Sequence, residues 1–536
     1  MALRMRTLND AFVAACGRAA DLPFLAESAL SGGRVWTYDA TEQEVHRLAE
    51  IYRSHGWGAG HRVALGVGNH PRHFFHFLAL NRLGASVVPL NPDHRAGEIR
   101  YALSHSGADL VVSGADRHPL IDEVMAANAA IARVPRMLVD ALARSLPDAP
   151  AGRTVPADSL QAEAAILYTS GTSGRPKGCV LSNDYVLGAG AWYADIGGLL
   201  TFQRGQDRLL NPLPVFHMNC AMVSFSAVCQ TDNCLVLPDR FHAGAWWEDC
   251  VRSRVTVIHY LGIMPPALFK QPVNEWETQH RIRFALGAGC DPTLHGPFEQ
   301  RFGFPLVEVW GMTETGRFLA NNVDPRQVYT RAFGREREPI ELRLVDDGGV
   351  DVADGQPGEL LVRNSGTDHR QGFFSAYLDD PEADAKAWRG GWFHTGDVVT
   401  RDASGMLYFV DRRKDMVRRS GENISASEVE ATMSMHPAVN RIAVVPVPDE
   451  LRDEEVMAVV VPATGTPPTA ETAQALVRHC LAELAYYKAP GWVVFREALP
   501  TTPTNKIQKN LIFESGSDPR LGAFDSRSMK SRTAVH

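Results

Sequence analysis

The chain has 536 residues, 45% of them hydrophobic, and a formal net charge of −8. It is too long for one compact domain and too apolar for wholesale disorder, and its acidic balance gives no electrostatic footing for nucleic-acid binding. The N-terminus Met1-Ala2-Leu3-Arg4-Met5-Arg6 lacks the apolar core of a signal peptide, and no uninterrupted apolar run reaches membrane-spanning length. The eight cysteines are scattered without a CxxC pair, so neither a zinc knuckle nor a disulfide framework is indicated. A soluble, reducing, cytoplasmic setting is the expectation.

In chain order, a helix is predicted over Thr41–His55, then a strand at Val63–Val67 with Val63, Leu65 and Val67 on one face. Phe74, Phe77 and Leu78 have helical spacing; a buried strand Ser86–Leu90, helix Ala96–His105 and strand Asp109–Ser113 follow, with a helix at Met137–Leu146. Further strands are read at Arg208–Leu213, Asn233–Leu237, Val255–Tyr260 and Arg283–Leu286. Strands alternating with helices predict parallel, doubly wound sheets. From Ile340 to Arg363 the period falls to about two, between the turns Asp347-Gly348-Gly349 and Pro357-Gly358, which predicts a β-rich subdomain. After the charged link Asp411–Asp415 a small α+β domain is expected: Ser425 and Glu428 frame a capping box for a helix Ala426–Met435, strands lie near Ile442–Val445 and Met457–Val461, and a helix spans Ala470–Leu484. The predicted division is a large α/β domain, 1–412, a small mobile lid domain, 413–513, and a disordered tail, 514–536.

The chemistry is concentrated in a few strand exits. The apolar run Ala164–Leu167 feeds Tyr168-Thr169-Ser170-Gly171-Thr172-Ser173-Gly174-Arg175-Pro176-Lys177-Gly178. Glycines let backbone amides curl around an anion, hydroxyls add donors and Lys177 adds a charge, so the natural guest is a polyphosphate. It is no Walker A loop, because Pro176 precedes the lysine and Gly178 follows it; a flexible surface loop is the alternative. Asn211–Met218 ends a strand with Phe216 and His217; taken alone, His217 reads as a structural histidine. Phe284–Cys290 breaks an apolar run into Gly287, Ala288 and Gly289, which either admit a flat ring or make a tight turn. Glu308-Val309-Trp310-Gly311-Met312-Thr313-Glu314-Thr315, the Gly-flanked Asp397, the charged run Asp411-Arg412-Arg413-Lys414-Asp415, the loop around Gly421, and Leu499–Lys509 with Lys506 complete the set.

From Leu22 to Phe513 these segments, in this order, resemble the adenylate-forming superfamily of acyl- and aryl-CoA synthetases, peptide-synthetase adenylation domains and luciferases. The resemblance implies activation of a carboxylic acid by ATP to an acyl-adenylate with loss of pyrophosphate, then transfer to CoA with release of AMP. It assigns the phosphates to Thr169, Ser170, Gly171, Thr172, Ser173, Gly174 and Lys177, and adenine to Gly287, Ala288, Gly289, Trp310, Gly311 and Met312. Thr313 would donate to the α-phosphate, Glu314 would hold Mg²⁺, and Asp397 with Arg412 would bind ribose. His217 would border the carboxylate, Lys414 would be the hinge, Gly421 would admit the pantetheine arm, and Lys506 would bridge carboxylate and α-phosphate. Met218, Asn219, Gly262 and Ile263, with Gly287 and Met312, would line an acyl pocket that favours an uncharged, medium-sized body, unless Arg317 points inward. Asp411 and Asn505 stand where the family has glycine, and Arg331-Ala332 where CoA ligases often have Gly-Ser. These departures keep open an alternative acceptor, an amine or amino acid, giving an amide. The acid itself and the oligomeric state are not readable.

Overall fold

The computed structural model of the chain describes residues 5–169, 176–412, 415–419, 422–450, 452–502, 506–514 and 516–530. It divides into two compact units, Met1–Glu341 with Arg363–Phe393, and Leu342–Val362 with His394–His536.

The first unit carries two mostly parallel sheets. One has seven strands, with Arg62–Gly66, Ser86–Pro89, Leu110–Ser113, Arg136–Leu138 and Glu163–Thr169 parallel, and Lys177–Ser182 turning back antiparallel on Glu163–Thr169. Val87, Val88, Leu110, Val111, Ala164, Ala165 and Ile166 are fully buried, as the near-continuous apolar strands of a sheet covered on both faces require. The other has eight strands; at its centre Leu306–Gly311, Phe284–Ala288, Val257–Leu261, Arg208–Leu210 and Cys234–Leu237 lie side by side and parallel. Their carboxyl ends therefore open on one edge, the edge where such sheets bind ligands. Helix Tyr38–Ser54 begins at Thr37, whose hydroxyl accepts from Ala40 N–H at 3.1 Å.

The predicted helix at Met137–Leu146 is replaced by a strand, Arg136–Leu138, followed by two short turns of helix, Val139–Ala141 and Leu142–Ser145. Met137 pairs with Val112, and sheet pairing of so short a segment overrides its helical composition.

In the second unit the strands of the β-rich segment include Ile340–Val345, Gly358–Asn364, Trp392–Arg401 and Leu407–Arg412, adjacent in the order 407–412, 392–401, 358–364, 340–345. The C-terminal part pairs Val439–Asp449 with Asp453–Pro462 and packs helices Ala426–Ser434 and Ala470–Glu483 around Val429, Met433, Val456, Leu476 and Val477. Ser425 caps the first helix by accepting from Glu428 N–H at 3.2 Å, but the Glu428 carboxylate pairs with Lys488 at 2.7 Å.

The expected disorder of the tail is not observed among its described residues. Phe524–Asp525 pairs antiparallel with Trp492–Val493, and the side chain of Lys530 is fully buried against Glu455. Glu455 is itself fully buried and also takes the Arg419 guanidinium at 2.8 Å. The tail is held by a short strand pair, the Glu455 ion cluster and contacts such as Arg527 Nη1 with Asp449 at 3.1 Å, features without any periodic signature.

Glu455 is the only carboxylate the ion pairs give Arg419 and Lys530 among the described residues, so Glu455→Ala leaves two buried cations uncompensated. The expected loss is about 3–5 kcal/mol of unfolding free energy in urea; an unchanged midpoint and slope would show that the cluster is not what anchors the tail.

Candidate active site

The site is built on the carboxyl edge of the larger sheet. As strand Arg208–Leu210 ends, the chain enters Asn211–His217, a segment fixed by two asparagines. Asn211 Oδ1 accepts from Leu213 N–H at 2.9 Å, and Asn69 Oδ1 accepts from Val215 N–H at 3.0 Å while its Nδ2 donates to Leu213 O at 3.2 Å. This frame places Phe216 and His217, whose ring centroids lie 4.6 Å apart. Burial, with a smaller contribution from His94, holds the imidazole of His217 down to about 4, so it is neutral at physiological pH. Its chemistry there is that of a neutral donor and acceptor, with no cationic charge to offer a carboxylate.

Glycine is demanded at two neighbouring strand exits. A Cβ on Gly262 would stand 2.1 Å from the carbonyl oxygen of Gly289, and Gly289 itself has φ +85°. The two exits touch backbone to backbone, which leaves Ala288 and Gly289 exposed as a flat rim. That rim is braced from below by Glu308, a residue without an assigned role in the sequence reading. Its buried carboxylate accepts from Gly289 N–H at 2.9 Å, from Cys290 N–H at 3.1 Å and from the Tyr260 hydroxyl. Burial pushes the Glu308 carboxyl above its ordinary value despite these donors. Trp310 is buried, its ring 6.1 Å from that of Phe333, and Gly311 beyond it is exposed.

The turn after Trp310 is held on its backbone. Tyr185 Oη donates to Thr313 O at 2.7 Å, Phe374 N–H donates to Glu314 O at 2.9 Å, and Thr315 Oγ1 donates to Met312 O at 3.0 Å. With both carbonyls pinned, the side chains of Thr313 and Glu314 have fixed origins. Glu314 is buried, and its Oε1 accepts from Tyr377 Oη at 2.9 Å. The face of the same tyrosine lies 4.6 Å from Lys177 Nζ, a cation–π contact. One aromatic ring thus joins Lys177, expected to bind phosphate, to Glu314, expected to hold Mg²⁺. Thr169 and Lys177 are themselves opposite one another across the hairpin, so the loop leaves and re-enters the sheet at one point. Ser170, Gly171, Thr172, Ser173 and Gly174 lie outside the described residues.

Arg317 is engaged by its own neighbours: Nη1 donates to Gln371 O at 3.0 Å, and the guanidinium packs where a Cβ on Gly372 would stand. Of the expected acyl-pocket residues, Met218, Asn219 and Gly262 are half-buried and Ile263 is 46% exposed.

The remaining sequence candidates lie in the second unit. Asp397 and Arg412 face each other on paired strands, with Arg412 Nε 2.6 Å from Asp397 Oδ1. Two groups expected to share a ribose are therefore adjacent. Asp411 has a role that glycine could not fill: its carboxylate accepts from Ser425 Oγ at 2.9 Å, Ser427 N–H at 2.9 Å and Arg412 N–H at 2.7 Å. It fastens the start of helix Ala426–Ser434 to the strand that carries Arg412. Lys506 is exposed on a turn in which Thr502 N–H donates to Lys506 O at 2.7 Å and Lys506 N–H donates to Thr502 Oγ1 at 3.1 Å. Lys414 and Gly421 fall outside the described residues.

The family described as AMP-binding enzyme matches residues 12–369, and its C-terminal domain matches residues 428–506. The chain belongs to the AMP-binding enzyme family. It is 30% identical over 501 residues to the crotonobetaine/carnitine–CoA ligase of Shigella flexneri, covering 90% of this chain and 94% of that one. The corresponding ligase of Escherichia coli O7:K1 is 31% identical over 503 residues, with the same coverage. Among solved structures, the Mycobacterium tuberculosis fatty acyl CoA synthetase superposes with a TM-score of 0.69 at 27% identity, over 94% of this chain and 97% of that one. The o-succinylbenzoate CoA synthetase of Bacillus subtilis, in complex with its acyl-adenylate, shares the fold with a TM-score of 0.80 at 23% identity, over 95% and 98%. Family membership and the likeness to these ligases make this protein an AMP-forming acid–thiol ligase.

For magnesium the residues fit. Mg²⁺ keeps several waters and takes one or two carboxylates plus phosphate oxygens, so a single carboxylate oriented as Glu314 is suits it better than a cage would. No group of three or more His, Cys, Asp or Glu side chains able to hold a metal occurs among the described residues. Tyr377 orients that carboxylate and went unnoticed in the sequence, where it stands 63 residues from Glu314 with no local motif.

Tyr377→Phe removes the donor that fixes Glu314, and outer-shell losses of this kind cost about 10–100-fold in metal affinity. The Mg²⁺ concentration giving half-maximal acid-dependent pyrophosphate exchange should rise about tenfold or more; no change would remove Tyr377 from the site. For His217, an NMR titration of the ring Cε1–H should show no protonation above pH 5. Because its folded value lies below the unfolded 6.5, its contribution to stability is lost as pH falls from about 6.5 towards 4. An inflection near 6.5 assigned to this ring would contradict its burial.

Proposed function

We propose that Lys506 carries the first half-reaction by placing its ammonium between the acid's carboxylate and the α-phosphate of ATP. A carboxylate oxygen attacks the α-phosphorus, the bond to the β-phosphate breaks, and pyrophosphate leaves. In the second half-reaction the CoA thiolate attacks the acyl carbon, and AMP departs with the former carboxylate oxygen. Two unit charges about 4 Å apart repel by roughly 4 kcal/mol at an effective dielectric near 20, and a cation between them reverses that sign. The hydroxyl- and glycine-rich loop Thr169–Lys177 binds the phosphates, and Thr313 donates to the α-phosphate. The Ala288–Gly289 rim and Trp310 take adenine, Asp397 and Arg412 take ribose, and Glu314 would hold Mg²⁺, which supplies charge neutralisation on the phosphates. The 413–513 segment acts as the mobile lid, turning at Lys414 and offering Lys506 to the first step and the Gly421 loop to the second.

The observation that supports this reading is the Lys177–Tyr377–Glu314 connection, which joins the lysine proposed to bind phosphate to the carboxylate proposed to hold the metal, in a chain of the AMP-binding enzyme family. CoA is the proposed acceptor, and a cytoplasmic location fits eight cysteines that are all free. The two compared ligases act on crotonobetaine or carnitine. A quaternary ammonium body calls for a carboxylate or an aromatic cage, and the residues proposed for the pocket here, His217, Met218, Asn219, Gly262, Ile263, Gly287 and Met312, include no carboxylate and one aromatic ring, too few for a cage. With Arg317 committed to Gln371, a second carboxylate on the substrate has no cation among them either. The proposed substrate is an uncharged, medium-sized carboxylic acid.

Lys506→Ala should lower acid-dependent ATP–pyrophosphate exchange about a thousandfold, roughly 4 kcal/mol of barrier, while thioester formation from supplied acyl-adenylate stays largely intact. An equal fall in both half-reactions would refute the role given to Lys506. AMP release measured with CoA against a panel of amino acids tests the acceptor, with CoA expected to be preferred.

A further inference from the structure

A buried polar network at the foot of the acyl pocket fixes the orientation of one side-chain amide. Backbone decides the first link: Leu213 N–H donates to Asn211 at 2.9 Å, so the atom facing it is Oδ1 and Asn211 must turn its Nδ2 the other way. That Nδ2 lies 2.9 Å from Asn219 and 2.8 Å from Ser224 Oγ. A second amide nitrogen at that distance would set donor against donor, so Asn219 presents Oδ1. The same Oδ1 lies 2.7 Å from His259 Nδ1, which must therefore carry the imidazole proton and donate it. The other ring nitrogen, Nε2, is left as an acceptor and receives the Tyr193 hydroxyl at 3.0 Å. Asn211, Tyr193 and His259 are fully buried, and burial holds His259 down to about 3, consistent with one proton on the ring.

Each step follows from the one before, and the result is an amide locked by two donors on its oxygen. Its nitrogen has no hydrogen-bond partner among the described residues, and it belongs to a side chain that is only half-buried. Asn219 opens a π-helical turn, Asn219–Ser224, a wider winding that often marks functional sites. It lies beside the strand that runs on into Gly262 and Ile263.

We infer that Asn219 Nδ2 is a pre-oriented hydrogen-bond donor in the acyl pocket, and that the preferred acid carries a neutral acceptor, a carbonyl, ether or hydroxyl oxygen, in its body. This inference rests on the acid-activating reading above and narrows its substrate class. A site built around a fixed donor rejects an isostere lacking the acceptor more strongly than an apolar pocket rejects a change of size, because the donor is then left unpaired.

The test uses the full chain and matched acids in which C=O replaces C=CH₂ or CH₂: 3- and 4-acetylbenzoate against the isopropenylbenzoates, and the 4- to 7-oxo-octanoates against octanoate. ATP–pyrophosphate exchange gives kcat/KM for each. At one position or more the oxygen-bearing acid should be preferred at least tenfold, with the difference mainly in KM. Asn219→Asp keeps the oxygen that Asn211 and His259 hold but turns the donor into an acceptor, so that preference should vanish or invert. Discrimination under threefold in every pair with the native chain, which needs no variant to fold, would overturn the inference, as would a preference that survives in Asn219→Asp. Exchange with none of the acids would instead bring down the uncharged, medium-sized acid proposed above, and this inference with it.

Discussion

An anion must be brought to an anion, and that constraint organises the molecule. A carboxylate approaching a triphosphate is repelled at every distance that matters for reaction, so the protein has to supply donors and cations at fixed positions before the two meet. The first unit does this with backbone. The carboxyl ends of parallel strands meet on one edge, glycines let two of the exits touch, and carbonyls of the 312–314 turn are pinned by Tyr185, Phe374 and Thr315. Side chains then stand on rigid origins. The second unit carries other residues given roles in the proposal: the ion pair of Asp397 and Arg412, proposed to bind ribose, and Lys506.

Orientation by a neighbour is the recurring device. Tyr377 holds Glu314, Glu308 holds the Gly289–Cys290 turn, Asp411 holds the helix start beyond Arg412, and Asn211 holds Asn219. In each case a buried or half-buried polar group has its rotamer or its hydrogen-bonding sense dictated by another, so little reorganisation is left to pay for when substrate binds. Burial also keeps His217 and His259 neutral, which makes the acid-binding side of the site a place of directed dipoles; charge is concentrated at Lys177, Glu314 and the proposed Lys506.

Much of this was legible in the sequence because it is local. The segments around Thr169 and Lys177, Trp310–Glu314, Asp397 and Lys506 are each contiguous, and their residue types suggest the chemistry proposed for them. The doubly wound sheets were legible as well, since apolar runs such as Val63–Leu65 and Ser86–Pro89 alternate with helical spacing. The supporting residues were not. Tyr377 and Asn69 reach their partners from 63 and 146 residues away, and nothing near them in the chain marks the destination. The tail escaped for a related reason: Phe524–Asp525 is too short for a periodic signal, and Lys530 is one lysine among many until Glu455 is placed beside it. The helix expected over Met137–Leu146 misses strand Arg136–Leu138 because pairing across a sheet, and not local propensity, decides a three-residue strand.

The central claim is that a carboxylate oxygen of the substrate becomes bonded to the α-phosphorus of ATP. It can be followed by isotope. With an accepted acid labelled with ¹⁸O in its carboxylate, ATP, Mg²⁺ and CoA, mass spectrometry of the products should find one ¹⁸O in AMP and none in pyrophosphate. Label in inorganic phosphate or pyrophosphate, or AMP formed without label, would contradict the account.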